Sequence, residues 1–228
     1  MTRAQLQAKT VENATPRDAP DDRRAQIAAA LSSLIRKQGY AATSLTDIAV
    51  QAKLSPSHLR YYFATKEDIL EHYFQGYCDR IVADVLRIER TTPEEWLEAF
   101  AAYVIGTPRV NRGTMGAMVE IFGVALHHPA LAEAKTRYDN FMRRVFLDFF
   151  LWAGTARGIE PHDAAYTGWS LQIGMKLNAL FQSDFSHEKA NEIFLKEMRR
   201  MAGMRQPIAA GPVARGKTTK AKGAREKK

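Results

Sequence analysis

Cysteine is nearly absent from this chain of 228 residues, in which Cys78 is the only one. A single cysteine excludes an intrachain disulfide and a zinc site built on several thiolates, and it fits a reducing compartment. We expect Cys78 to be a small residue within a helix. The fold must then depend on an ordinary hydrophobic core, for which 46% apolar residues are sufficient.

Long hydrophobic runs are also missing. No stretch of about 18 apolar residues occurs, and residues 1–22 contain no apolar segment behind basic residues. These absences predict a cytoplasmic protein with no membrane partner.

Signatures of catalysis and metal binding are scarce as well. There is no nucleophile elbow, HExxH zinc motif or pair of cysteines. His127 and His128 are neighbours in sequence, but adjacent residues at a helix end do not face one ligand together. The sequence therefore predicts that the chain is not an enzyme and holds neither a metal nor a cofactor.

The positive charge is concentrated at one end of the chain. The net charge is +8, and residues 205–228 contain eight basic residues and one acidic residue. We predict a disordered basic tail over residues 204–228 and a disordered polar arm over residues 1–20. The tail either adds sequence-independent DNA affinity or only solubilises the protein, and the sequence leaves both open.

Between these ends, apolar residues recur at helical spacing and almost never alternate with a period of two. The pattern predicts an all-α protein of about nine helices. A small helix-turn-helix domain would span residues 21–68, and a larger helical domain would span residues 69–203. The expected helices cover residues 22–38, two short segments within 43–63, then 66–88, a helix from 93, 114–126, 129–156, 161–182 and 186–201.

The strongest local signal is residues 43–63, which predict two short helices around a tight turn. Ser44 can cap the first helix, with Asp47 three residues later as its capping-box partner. Ser55 can cap the second helix, with Pro56 at its first position.

The second of these helices has more exposed polar and aromatic side chains than a small helix needs. Leu59 and Phe63 point inward together, four residues apart. The side chains left outside are Ser57, His58, Arg60, Tyr61 and Tyr62. Such a helix can read base edges with its first residues while hydroxyl groups and Arg hold phosphates.

These motifs resemble the DNA-binding domain of the TetR family. The matching segments are Thr43-Ser44, Asp47-Ile48-Ala49, Leu54-Ser55, Leu59 to Phe63 and Thr65-Lys66-Glu67. The resemblance covers residues 24–70 and implies a dimeric regulator that binds double-stranded operator DNA. The expected DNA contacts are Thr43, Ser44, Thr46, Ser55, Ser57, His58, Arg60, Tyr61, Tyr62 and Lys66.

Two positions depart from the family pattern. Lys53 stands where the turn usually has Gly, and we expect it to adopt a left-handed conformation at a cost of about 1 kcal/mol. Arg60 replaces an aromatic residue and can contact either a phosphate or a guanine. The alternative for the whole segment is a plain three-helix bundle whose tyrosines cover core edges.

The resemblance implies an effector pocket in the middle helices and a dimer interface on the last two. The candidate pocket residues are Tyr103, Met115, Met118, Phe122, Tyr138, Phe141, Phe149 and Trp152. The candidate interface residues are Trp169, Ile173, Leu177, Leu180, Phe181, Phe194 and Met198. A hydrophobic or aromatic effector would suit such a pocket, although these side chains can equally be plain core.

The function predicted from the sequence is that of a transcriptional regulator, a repressor released from its operator by a small effector. Two alternatives belong to other classes. A general DNA-binding protein would use the basic tail, with the helical domain only dimerising. An enzyme or carrier would bind a small molecule in the bundle without any affinity for DNA.

Overall fold

The computed structural model describes residues 20–106, 112–182 and 184–205, and within them every regular element is an α-helix. The all-α prediction is confirmed. The helices are α1 Pro20–Gln38, α2 Leu45–Gln51, α3 Pro56–Tyr62, α4 Lys66–Leu86, α5 Pro93–Val104, α6 Arg112–Ala125, α7 Pro129–Ala153, α8 Pro161–Phe181 and α9 His187–Met201. Most of the disordered arm and tail predicted at the two ends lies outside the described residues.

Hydroxyl caps set where several of these helices begin. The Ser44 and Thr65 side chains accept hydrogen bonds from the backbone N–H of Asp47 and Asp68. Each carboxylate in turn accepts a hydrogen bond from the backbone N–H of the cap residue. Ser186 caps α9 in the simpler one-way form. Each such cap satisfies backbone N–H groups that have no partner within the helix.

The end of α7 differs from the prediction. The helix stops at Ala153, and Gly154 follows it at a φ of +89°. Gly158, which the sequence suggested as the cap, also has a positive φ of +83° but lies in the loop beyond. With several glycines close together, the pattern does not indicate which one ends the helix.

The core consists of two hydrophobic clusters. The first joins α1–α4 to residues of α6 and the start of α7, including Met118, Ile121 and Leu131. The second lies among α5, α7, α8 and α9, around the fully buried Phe100, Phe146 and Phe194. The small N-terminal domain therefore shares a continuous core with the larger one.

The larger domain is built around α8, which packs against both α7 and α9. Helix α9 is tied to α5 by the buried Arg199, whose Nε donates to Glu94 at 2.6 Å and whose Nη2 donates to Glu98 at 2.7 Å. Across the described residues, no helix is both long enough and apolar enough to cross a membrane.

Candidate nucleic-acid interface and ligand cavity

The turn between α2 and α3 has the strained residue that the sequence predicted. Lys53 has a φ of +55°, the only positive φ of a non-glycine residue in the described part of the chain. The turn is closed by the Leu54 N–H, which donates to the Ala49 carbonyl at 2.9 Å. Gln26 of α1 braces it by donating from Nε2 to the Ala52 carbonyl at 2.9 Å. These bonds hold a left-handed lysine in place and fix the angle between α2 and α3.

Helix α3 is anchored by its apolar residues and presents the others to solvent. Leu59 is fully buried and Phe63 is 5% exposed. Ser57, His58 and Arg60 are exposed, and Tyr61 is exposed over 81% of its surface. The Tyr61 ring is held edge-on against Tyr62, with centroids 5.1 Å apart. The Tyr61 phenol is therefore presented to solvent on the same side as Arg60 and His58.

Two predicted contact residues are engaged inside the domain. Thr43 is buried, and its hydroxyl donates to the Gly39 carbonyl at 2.8 Å. The Lys66 ammonium donates to the carbonyls of Tyr40 and Thr43 at 2.9 and 2.8 Å. Lys66 therefore closes the loop between α1 and α2 onto α4 instead of extending toward a phosphate.

The remaining predicted DNA contacts surround α3. Thr46 is exposed on α2. The hydroxyls of Ser44 and Ser55 are exposed but already accept the capping N–H groups of α2 and α3. The exposed set that remains is Thr46, Ser57, His58, Arg60 and Tyr61, with the half-buried Tyr62 behind it.

A cavity lies in the larger domain among α4, α6, α7 and α8. Its volume is about 40 Å³, far below that of most small-molecule sites, so a ligand would have to part the walls to enter. Its walls are Phe74, Tyr77, Met115, Met118, Phe122, Lys135, Tyr138, Asp139, Trp169, Ile173, Lys176 and Leu177.

The structure brings together only half of the predicted pocket residues. Met115, Met118, Phe122 and Tyr138 line the cavity. The other four lie elsewhere. Phe149 stacks on Trp96 in the second cluster, and Phe141 packs against that cluster. The Tyr103 hydroxyl donates to Asp84 at 2.9 Å, and Trp152 lies at the surface under Arg90.

The sequence analysis missed the polar part of this cavity. Lys135 and Asp139 form an ion pair at 2.6 Å across one turn of α7, and Lys176 comes from α8. A lysine and an aspartate four residues apart look like an ordinary solvent-exposed pair in a sequence. Only the packing of α7 between α4 and α8 places them inside.

The candidate dimer residues mostly face the chain's own interior. Phe194 and Met198 are fully buried in the second cluster, so they are not available to a second chain. Trp169, Ile173 and Leu177 line the cavity. Leu180 is half-buried, and Phe181 is 72% exposed.

Another stripe of α8 faces outward and forms a shallow groove. We call it the outer face of α8, and its residues are Tyr166, Thr167, Ser170, Leu171, Gly174, Met175 and Asn178. It is displaced by about one residue from the predicted stripe. Because the apolar residues of α8 are not concentrated on one side, periodicity could not distinguish its inner face from its outer face.

Residues that suit metal binding do not cluster in the described ranges, where no group of three or more His, Cys, Asp or Glu side chains could hold an ion.

The capped pair α2 and α3, with its tight turn and exposed second helix, is a helix-turn-helix of the DNA-binding kind. Residues 27–73 match the family model described as bacterial regulatory proteins, tetR family. The resemblance of this segment to the TetR family, which its sequence predicted, is confirmed. A search of curated proteins finds no match.

Solved regulators share the fold of most of this chain. A transcriptional regulator from Rhodococcus sp. Rha1 aligns with a TM-score of 0.70 at 20% identity, covering 78% of this chain and 96% of its own. A TetR transcription regulator from Haloarcula marismortui aligns with a TM-score of 0.69 at 20% identity, covering 82% of this chain and 100% of its own. A regulator from Saccharomonospora viridis, solved in complex with choline, gives 0.64 at 20% identity, covering 78% and 96%.

Proposed function

We propose that this protein is a homodimeric transcriptional repressor that binds operator DNA through α3 and is released by a small effector bound in the cavity between α4, α6, α7 and α8. The observation that carries the proposal is the exposed face of α3, where Tyr61 is 81% exposed beside Arg60 and His58. Phenol and guanidinium groups on a helix of this kind suit phosphates and base edges.

The ordered first turn of α3 supports direct contact with DNA. The Ser55 hydroxyl accepts the His58 N–H at 3.2 Å and lies 3.1 Å from the Ser57 hydroxyl, so the first turn is ordered before DNA arrives. The contact set we propose is Thr46, Ser57, His58, Arg60, Tyr61 and Tyr62. Thr43 and Lys66 take a supporting part, because their polar groups hold the loop between α1 and α2.

Dimerisation is proposed to use the outer face of α8. A two-fold axis is the usual symmetry of homodimers, and it would present two α3 helices to two half-sites. Leu171 and Met175 provide the apolar centre of this face, and Gly174 between them lets a second backbone come close.

The effector is proposed to act by population shift. A ligand that fits the cavity better in the DNA-free conformation lowers operator affinity by its difference in affinity between the two states. Helix α6 contributes Met115, Met118 and Phe122 to the cavity and also contacts α1, so a change in its position reaches the DNA-binding domain.

The test of DNA binding is fluorescence anisotropy with DNA from upstream of the protein's own gene, compared with scrambled DNA at near-physiological salt. We expect Tyr61→Ala and Arg60→Ala to weaken binding to the upstream DNA at least about tenfold. Arg87→Ala is the charge-matched control, because Arg87 lies exposed at the far end of α4. It should bind as the wild type does.

A truncation after Gly203 separates the tail from α3. The repressor proposal expects the truncated chain to keep its preference for upstream DNA, with a smaller salt dependence. The repressor proposal would be wrong if the protein bound both DNAs equally, lost this binding on truncation and kept it in Arg60→Ala. That result would indicate general DNA binding by the tail.

The proposed interface is tested by sedimentation equilibrium. Met175→Glu places a charge on the outer face of α8 and should yield monomers that bind operator weakly. Leu126→Glu makes the same kind of change at an 81% exposed residue just after α6 and should remain dimeric. A dimeric Met175→Glu protein would place the interface elsewhere.

A further inference from the structure

The cavity between α4, α6, α7 and α8 has an excess of positive charge. Three of its wall residues are charged, namely Lys135, Asp139 and Lys176. Lys135 and Asp139 pair at 2.6 Å and cancel each other, and the Lys135 ammonium also lies 4.6 Å from the centroid of the Phe122 ring. The positive charge of Lys176 is therefore not balanced by any acidic residue of the wall.

Lys176 stands between this inner cavity and a second hollow at the surface. The outer hollow is formed by the end of α8 and the start of α9, and it shares two wall residues, Met115 and Lys176, with the inner one. A molecule entering from the surface would pass Lys176 before its body reached the aromatic walls.

No acidic side chain in the described ranges compensates Lys176. None forms an ion pair with it, and Glu188, across the outer hollow, has its carboxylate engaged with the Ser186 hydroxyl at the cap of α9. Burial without a partner lowers the pKa of Lys176 to about 8. The ammonium is therefore still largely protonated at neutral pH, at a cost in desolvation that an anion would relieve.

Other polar groups near Lys176 can also donate to an anion. Tyr77 and Tyr138 line the cavity, and burial raises the pKa of both phenols, that of Tyr77 to about 12. They remain neutral O–H donors at neutral pH. Gln172 lies one turn before Lys176 on α8 but is not a wall residue; it is fully buried, and neither its amide nitrogen nor its amide oxygen has a partner.

We propose that the effector is a carboxylic acid with an apolar body, whose carboxylate pairs with Lys176 and whose body parts the aromatic walls of the small cavity beyond it. The inference rests on the proposed function, because it names the ligand class of the same cavity. One ammonium matches one negative charge, which favours a monoanionic carboxylate over a phosphate dianion. The aromatic and methionine walls suit a flat or flexible hydrocarbon body.

A cationic effector is the main competitor, since aromatic walls also bind quaternary ammonium groups. The structure opposes it here for two reasons. The only acidic wall residue, Asp139, is already paired with Lys135, and the unpaired Lys176 repels a cation.

The experiment uses three probes with the same body: 4-phenylbutyrate, 4-phenylbutan-1-ol and 4-phenylbutylamine. Each is titrated into the full-length protein by isothermal calorimetry at pH 7, without DNA. We expect 4-phenylbutyrate to bind at least about tenfold more tightly than either counterpart, which is the usual gain from a charge-assisted hydrogen bond.

Variants then assign the preference to Lys176. Lys176→Met should abolish the preference for the acid, and Lys176→Arg should restore most of it. The control is Lys189→Met, a lysine paired with Glu192 on the exposed side of α9, and it should behave as the wild type does. If Lys176→Met fails to fold, the probe ranking on the wild type still decides.

Three outcomes would overturn the inference. They are equal binding of acid and alcohol, tightest binding of the amine, and no binding of any probe at low-millimolar concentration. Because operator binding is measured separately, the repressor proposal stands or falls on its own anisotropy data.

Discussion

The Glu120 carboxylate on α6 accepts a hydrogen bond from the backbone N–H of Tyr40, just after α1 ends. Gly39 closes α1 by donating its own N–H to the Ile35 carbonyl at 2.9 Å, which leaves the next N–H without a helical partner. The larger domain therefore supplies the missing acceptor. Since α6 also lines the cavity, this contact joins the proposed effector site to the DNA-binding domain.

Removing that acceptor should loosen the connection between the domains. We expect Glu120→Ala to lower the free energy of unfolding by about 1 to 2 kcal/mol, the usual cost of a partly buried N–H that loses a charged partner. Glu120→Gln keeps an acceptor oxygen and should lose less. Urea denaturation measures both, with the exposed Glu133→Ala on α7 as the control. Equal stability of Glu120→Ala and Glu133→Ala would refute a structural role for the contact.

Lys53 is a second testable feature, because its φ of +55° strains any residue with a Cβ. We expect Lys53→Gly to raise the free energy of unfolding by about 1 kcal/mol. Lys53→Ala removes the same charge but keeps the Cβ, so it should show no such gain. Thermal unfolding of the three proteins separates the backbone effect from the charge. A Lys53→Ala protein as stable as Lys53→Gly would assign the effect to charge.

The helix-turn-helix could be predicted almost completely from the sequence. Its caps at Ser44 and Ser55, the inward Leu59 and the left-handed Lys53 all depend on neighbours within a few residues. Interactions of that range follow directly from local sequence patterns.

The cavity and the outer face of α8 could be predicted only in part. Met118 and Tyr138 were expected at a pocket and line it, whereas Phe149, expected there on the same grounds, lies in the second cluster. The difference arises from how α5, α7 and α9 pack together. The inward position of Lys66 is also set by tertiary contact, since its acceptors are 26 and 23 residues away.

Gly168 should tolerate no side chain. A Cβ there would lie 2.8 Å from Cδ1 of Phe146 and 3.0 Å from Sδ of Met198, and both side chains are fully buried. We expect Gly168→Ala to destabilise the protein by about 1 to 3 kcal/mol through overpacking.

The matched control is Gly76→Ala in α4, where a Cβ meets nothing within 4 Å. That change should stabilise the protein by about 0.5 to 1 kcal/mol through higher helix propensity. Denaturation midpoints that move in the same direction for both variants would contradict this account.

The Cys78 thiol should be inert in the folded protein and should make stability depend on pH. It is 4% exposed, and burial raises its pKa to about 12. A free thiol in the unfolded chain titrates near about 8.5. The folded state therefore retains a proton that the unfolded state loses, and the thiol's contribution, present below about pH 8.5, is lost as the pH rises toward 12.

We expect the free energy of unfolding of the wild type to fall by about 1 kcal/mol more than that of Cys78→Ala between pH 7.5 and 9.5. Comparing the two proteins cancels the titration of all other groups, including Lys176, whose lowered pKa acts with the opposite sign. Reaction with a disulfide reagent at pH 8 provides an independent check, slow for the native protein and immediate in denaturant. Fast labelling of the native protein, or parallel pH profiles for the two proteins, would show that Cys78 is accessible as a thiolate.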